Sequence, residues 1–117
     1  MIQGQVDAEG LPALLLPVAG QDWKAIVDTG FNGDLELPES LRTSVNPSLI
    51  GQASSELAGG QTVVEDLYLV HFPFDGQTVR VEATFSTSNE ILLGTHLLRS
   101  HRLEVHFPNG TVLLERV

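Results

Sequence analysis

Apolar and polar residues alternate with a period of two along most of this chain, a pattern that predicts β-strands. It is cleanest over Thr78 to Phe85, where Val79, Val81, Ala83 and Phe85 fall on one face and Arg80, Glu82 and Thr84 on the other. Arg102 to Phe107 repeats it, with Leu103, Val105 and Phe107 facing inward. Denser apolar runs predict buried strands at Pro12 to Val18, Trp23 to Val27 and Glu90 to Gly94, and shorter ones at Ile2 to Val6 and Leu35 to Leu37. Leu49 to Glu56 and Thr62 to Val70 read as two arms of a long hairpin around Leu57-Ala58-Gly59-Gly60-Gln61. Its arms carry few large apolar groups near the tip, so the hairpin is expected to project from the body. Asp75-Gly76 and Asn109-Gly110 are hairpin turn signals, and Thr111 to Glu115 supplies the last strand. Two short helices are expected, one over Pro38 to Ser44 with proline at its first position, the other from Thr95 to Ser100 with Thr95 as its cap and Leu97 and Leu98 inward.

The pattern also repeats on a larger scale. Leu14 to Leu41 reads strand, turn, strand, loop, short strand, helix, and Leu67 to Leu98 reads the same way. Two copies of one supersecondary unit imply an internal pseudo-two-fold. In the first copy the loop is Asp28-Thr29-Gly30; in the second it is Ser86-Thr87-Ser88-Asn89, which carries no acid at the matching place.

Composition narrows the class. At 117 residues, with a hydrophobic fraction of 42% and a charged fraction of 18%, the chain is expected to be one domain spanning residues 1–117 with a modest core. Fifteen acidic and six basic side chains give a net charge of −9, which argues against nucleic-acid and anionic-membrane partners. There is no cysteine, hence no disulfide, thiol nucleophile or zinc-thiolate site. Met1 to Gln5 lacks the basic and apolar regions of a signal peptide and no apolar run reaches membrane-spanning length, so the default expectation is a cytoplasmic protein.

Asp28-Thr29-Gly30 is the chemical candidate. It ends the apolar run Ala25-Ile26-Val27 and precedes Phe31-Asn32-Gly33. A carboxylate at a strand tip, aimed by a turn, can act as a general acid or base, although the triplet taken alone reads equally as a hydrophilic turn. The other candidates are weaker. His71, His96, His101 and His106 are scattered, and Glu104 and His106 share only a wet strand face, so no metal site is expected. There is no Gly-x-Ser-x-Gly elbow.

Three features taken together carry a resemblance: Ile26-Val27-Asp28-Thr29-Gly30, the Gly59-Gly60 hairpin, and Ile91-Leu92-Leu93-Gly94 followed by Leu97-Leu98. In that order and spacing, over roughly Leu14 to Ser100, the chain resembles the retropepsin-like aspartic proteases, the single-lobe relatives of pepsin, in particular the small bacterial-type members. The resemblance implies an all-β, single-lobe acid-protease barrel with a pseudo-two-fold, a flap hairpin and one or two short helices. It implies a homodimeric endopeptidase in which two Asp28 carboxylates, one from each chain, activate a water against a peptide bond, with no metal and no cofactor. Asp28 would be the acid/base. Thr29 would bond across the dyad and Gly30 would lie under the carboxylate. Phe31, standing where the family often has a small residue, would touch substrate together with the flap tip Ala58, Gly59, Gly60 and Gln61. Leu93 and Gly94 would pack beneath the loop. The extra hairpins at both ends depart from the retroviral pattern, in which the termini build the dimer interface. A dimer that keeps the fold without cleavage, serving to bind or scaffold other proteins, is the alternative reading.

Overall fold

The strands form where alternation places them. A computed structural model describes all 117 residues, Met1–Val117. Ten strands follow in chain order: β1 (Ile2–Val6), β2 (Pro12–Val18), β3 (Gln21–Val27), β4 (Leu35–Pro38), β5 (Ser48–Glu56), β6 (Thr62–Phe74), β7 (Gln77–Ser86), β8 (Ile91–Leu93), β9 (His101–His106) and β10 (Thr111–Arg116). A single 3-10 helix, Glu39–Val45, sits between β4 and β5. No helix is long and apolar enough to cross a membrane.

All ten strands belong to one sheet in the order β5-β6-β7-β4-β8-β3-β2-β1-β10-β9. Its two end strands do not pair, and the sheet folds over so that β2 packs on β6. The core between the layers draws Leu14, Leu16 and Val18 from β2, Phe72 and Phe74 from β6, and Leu35 and Leu37 from β4. From Leu14 to Val18 the run in β2 is therefore buried on one face only: Leu15, between Leu14 and Leu16, is 62% exposed.

The predicted repeat is visible at the sheet centre. β4 follows β3 in the chain, yet it lies parallel to β7 of the other half, with Leu35 opposite Ala83 and Leu37 opposite Phe85. Reciprocally, β8 follows β7 but lies parallel to β3, with Ala25 opposite Ile91 and Val27 opposite Leu93. The two short strands meet antiparallel, Leu35 opposite Leu93, at the pseudo-two-fold. Each half is thus completed by a strand of the other.

Turn chemistry sets the remaining registers. Asp75 and Gly76 both have positive φ (52° and 78°), the conformation a two-residue hairpin loop between β6 and β7 requires, and glycine adopts it without a Cβ penalty. Asp7 closes the β1–β2 turn by accepting from the amides of Glu9 and Leu11 and from Lys24 Nζ, each at 2.9 Å. Lys24 also reaches Glu90 at 3.0 Å, tying that turn to the loop before β8. The Lys24 ammonium, followed by the Leu11 amide, holds the Asp7 carboxyl below its ordinary value. Its stabilising contribution is present at neutral pH and lost as pH falls through the lowered value.

Two expectations are corrected. Thr95–Ser100 is a series of turns rather than a helix. The Thr95 hydroxyl, expected as the cap acceptor, instead donates to the Phe31 carbonyl (3.3 Å), and the Thr95 and His96 amides are held by the Phe31 and Gly33 carbonyls (2.8 and 3.2 Å) of a distant loop. Only three-residue closures remain, Arg99 to His96 and His101 to Leu98. Phe107 is not inward: β9 ends at His106, and Phe107 falls in the following turn, 62% exposed.

Candidate active site

β3 delivers Asp28 at the point where its pairing with β8 ends. The Asp28 amide donates to the Leu93 carbonyl (3.0 Å), so the base of the loop is anchored to the opposite half of the repeat. The chain then turns sharply. The Phe31 amide donates to the Asp28 carbonyl (3.1 Å), and the Gly30 amide to Asp28 Oδ1 (3.0 Å). That last bond aims the carboxylate by fixing one of its oxygens and leaving Oδ2 without a protein donor. Asp28 is half-buried; Thr29 and Gly30 are exposed, and the Thr29 hydroxyl makes no hydrogen bond within the chain.

Phe31 explains the glycines around it. Its ring folds back so closely that a Cβ on Gly33 would lie 2.7 Å from the ring, and one on Gly94 would lie 3.0 Å from it. The Gly94 Cβ would also stand 2.0 Å from the Gly33 carbonyl oxygen. The loop and the Gly94 turn are stitched together by Gly94 N–H to Asp34 O (2.9 Å) and by the Thr95 hydroxyl to Phe31 O (3.3 Å). Leu93 and Gly94 therefore do support the loop from beneath.

Asp34, which the sequence did not mark out, is the one buried charged residue of the chain. Its Oδ2 accepts the Glu82 amide of β7 (3.0 Å), and its Oδ1 meets His96 Nδ1 (2.7 Å). The only hint in the sequence is its place directly before the apolar strand Leu35-Glu36-Leu37. Asp34→Ala leaves the Glu82 amide without a partner and is expected to lower stability by about 2 kcal/mol. Asp34→Asn, which keeps an acceptor, is expected to lose less than half of that. Urea unfolding of the two variants checks the difference; equal losses would remove Asp34 from the loop's support.

A cleft of about 460 Å³ lies between this loop and the β5–β6 hairpin. Phe31–Glu36 form one wall, and Ala53, Ser55, Glu65 and Leu67 of the hairpin contribute to the other. Asp28, Thr29 and Gly30 are not among the lining residues, nor is the hairpin tip Ala58–Gln61, which is exposed. A single copy of the chain thus brings Phe31 to the cleft wall, while Asp28 and the hairpin tip lie outside the cleft lining. The cleft is acidic, with Asp34, Glu36, Glu65 and Glu82 on its walls. A larger cavity of about 520 Å³, between Ile2, Leu16 and the β6–β7 turn, holds one acid, Asp75, which is paired with the Met1 amine (2.9 Å). The cleft is the candidate site because Phe31–Asp34, the direct continuation of the Asp28 loop, line it. Glu104 and His106 do not converge on a third ligand, and no group of three or more His, Asp or Glu is placed to hold a metal.

No family model and no curated protein matches the sequence. Solved structures do match. A retropepsin-like aspartic protease from Rickettsia conorii superposes with a TM-score of 0.65 at 15% identity, covering 97% of this chain and 88% of that one. The Simian Foamy Virus (mac) protease gives 0.57 at 23% identity, over 74% of this chain and 91% of the viral protease. The foamy viral protease-reverse transcriptase, solved in complex with an RNA/DNA hybrid, gives 0.58 at 21% identity over 91% of this chain. This chain spans 13% of the length of that larger protein. At these identities the likeness is one of fold: the chain has the all-β, single-lobe retropepsin-like architecture.

Proposed function

We propose that this chain is one half of a homodimeric aspartic endopeptidase. The reading rests on one observation, a half-buried carboxylate aimed by its own Gly30 amide at the pseudo-two-fold end of β3, in a fold shared with aspartic proteases. The equivalent loop of the other half, between β7 and β8, carries no acid at the matching place, its one carboxylate, Glu90, being paired with Lys24 (3.0 Å), so the second carboxylate is Asp28 of a second copy. Two facing carboxylates share one proton. The ionised one takes a proton from water as the water oxygen attacks the peptide carbonyl carbon. The protonated one donates to the carbonyl oxygen, giving a tetrahedral diol. When the C–N bond breaks, a carboxyl proton passes to the leaving nitrogen, and the carboxyl and amine products depart. The pair titrates as a unit.

The free Thr29 hydroxyl is then available to the partner's loop. The β5–β6 hairpin serves as the flap, with Ala58–Gln61 closing over an extended peptide. Four carboxylates on the cleft walls favour a substrate with a basic side chain beside the scissile bond.

The test is digestion of a mixed peptide library from acid to neutral pH, with the protein's mass in solution followed by sedimentation. Cleavage next to Lys or Arg is expected, with specific activity rising with protein concentration as dimers form. A strict monomer overturns the reading. A stable dimer that cuts nothing supports the binding-module alternative instead.

A further inference from the structure

We infer that the chain carries a second site, separate from the cleft, for a phosphate monoester. This acidic chain has six basic residues, and three of them, Arg80, Arg99 and Arg116, line one cavity of about 400 Å³. They come from three separate segments: β7, the Thr95–Ser100 turn and β10. The other three basic residues are all neutralised. Lys24 pairs with Asp7 and Glu90, Arg42 with Glu39, and Arg102 with Glu104 and Glu115. The three in the cavity pair with no carboxylate, although the chain has 15 acids to offer. Arg99 makes one side-chain bond, to the neutral His96 carbonyl at 2.6 Å, which fixes its guanidinium in place. Arg80 and Arg116 are exposed and unengaged.

A second observation points the same way. His101, at the start of β9, also lines the cavity, and its side chain is only 5% exposed. Neither ring nitrogen has a hydrogen-bond partner; Nε2 lies 3.4 Å from Asp75 Oδ2 without hydrogen-bond alignment. A buried, unpartnered imidazole beside three unpaired guanidiniums and the exposed Ser100 hydroxyl is a donor-rich, acceptor-poor wall. Guanidinium forks match phosphate oxygens two at a time, and a monoester dianion supplies the charge that such a cluster lacks. The apolar floor, Val81 and Leu97, leaves room for a small organic group attached to the phosphate. The cavity shares no lining residue with the cleft, so a ligand here leaves the cleft open.

The experiment titrates the full chain with inorganic phosphate, free phosphoserine, acetate and sodium chloride at matched ionic strength, following backbone amide resonances. Phosphate and phosphoserine are expected to give saturable shifts centred on Arg99, Ser100, His101 and Arg116. Acetate and chloride are expected to give none that saturate. The double variant Arg80→Gln, Arg116→Gln, altered only at exposed positions, is expected to bind at least about tenfold more weakly. Tighter binding of phosphoserine than of phosphate assigns the site to a small phosphorylated organic ligand; equal binding assigns it to free phosphate. Matching shifts from chloride, absence of saturation, or unchanged binding by the double variant would each overturn the inference.

Discussion

On the proposed function, Asp28→Asn is expected to abolish peptide cleavage, lowering kcat by about a thousandfold or more, without loss of dimerisation or stability. The amide keeps the acceptor for the Gly30 amide but can neither take a proton from water nor share one with its mate. A mixing experiment is sharper. If each active dimer needs two intact carboxylates, an equal and fully exchanged mixture of parent and variant retains about a quarter of the parent's activity, because mixed dimers are silent. If each chain acted alone, half would remain. Cleavage rates of the exchanged mixture distinguish the two, and a result near half would refute the shared dyad.

Gly94→Ala is expected to be strongly destabilising, costing more than about 4 kcal/mol. The added Cβ would sit 2.0 Å from the Gly33 carbonyl oxygen and 2.7 Å from its carbon, with the Phe31 ring at 3.0 Å. Those atoms are backbone on one side and a wedged ring on the other, so neither can yield without moving the Asp28 loop. Gly59→Ala is the control: nothing lies within 4 Å of its added methyl, and its effect should stay within about 0.5 kcal/mol. Urea unfolding of both variants measures the contrast. A Gly94→Ala protein within about 1 kcal/mol of the parent would show that this contact does not hold the loop.

Much of the fold was legible because strand burial writes a period of two into the sequence and tight turns need particular residues. Thr78 to Phe85 and the Asp75-Gly76 turn show both effects, and the repeat could be read from the order of elements alone. What failed depended on partners far along the chain. Thr95 followed by Leu97 and Leu98 has the local form of a capped helix, yet its capping hydroxyl is spent on the Phe31 carbonyl, 64 residues away. Asp34 looks like an ordinary loop acid, and only its bonds to Glu82 and His96, 48 and 62 residues distant, make it a buried support. The Asp28 loop was legible for the opposite reason: its turn is closed by residues two and three positions on. The role of Phe31 was half legible. The family resemblance implied a place for it beside a substrate pocket, but its wedge against Gly33 and Gly94 needed the fold.

The exchange of short strands at the sheet centre bears on how the chain is made. A ribosome releases β3 long before β8, which it pairs with, has been synthesised: Val27 waits for Leu93. Until then the first half exposes an unsealed strand edge and the face that will bury Leu35 and Leu37. Each half therefore lacks a central strand partner until β8 has emerged, and the nascent first half, with that edge open, is the form most exposed to aggregation.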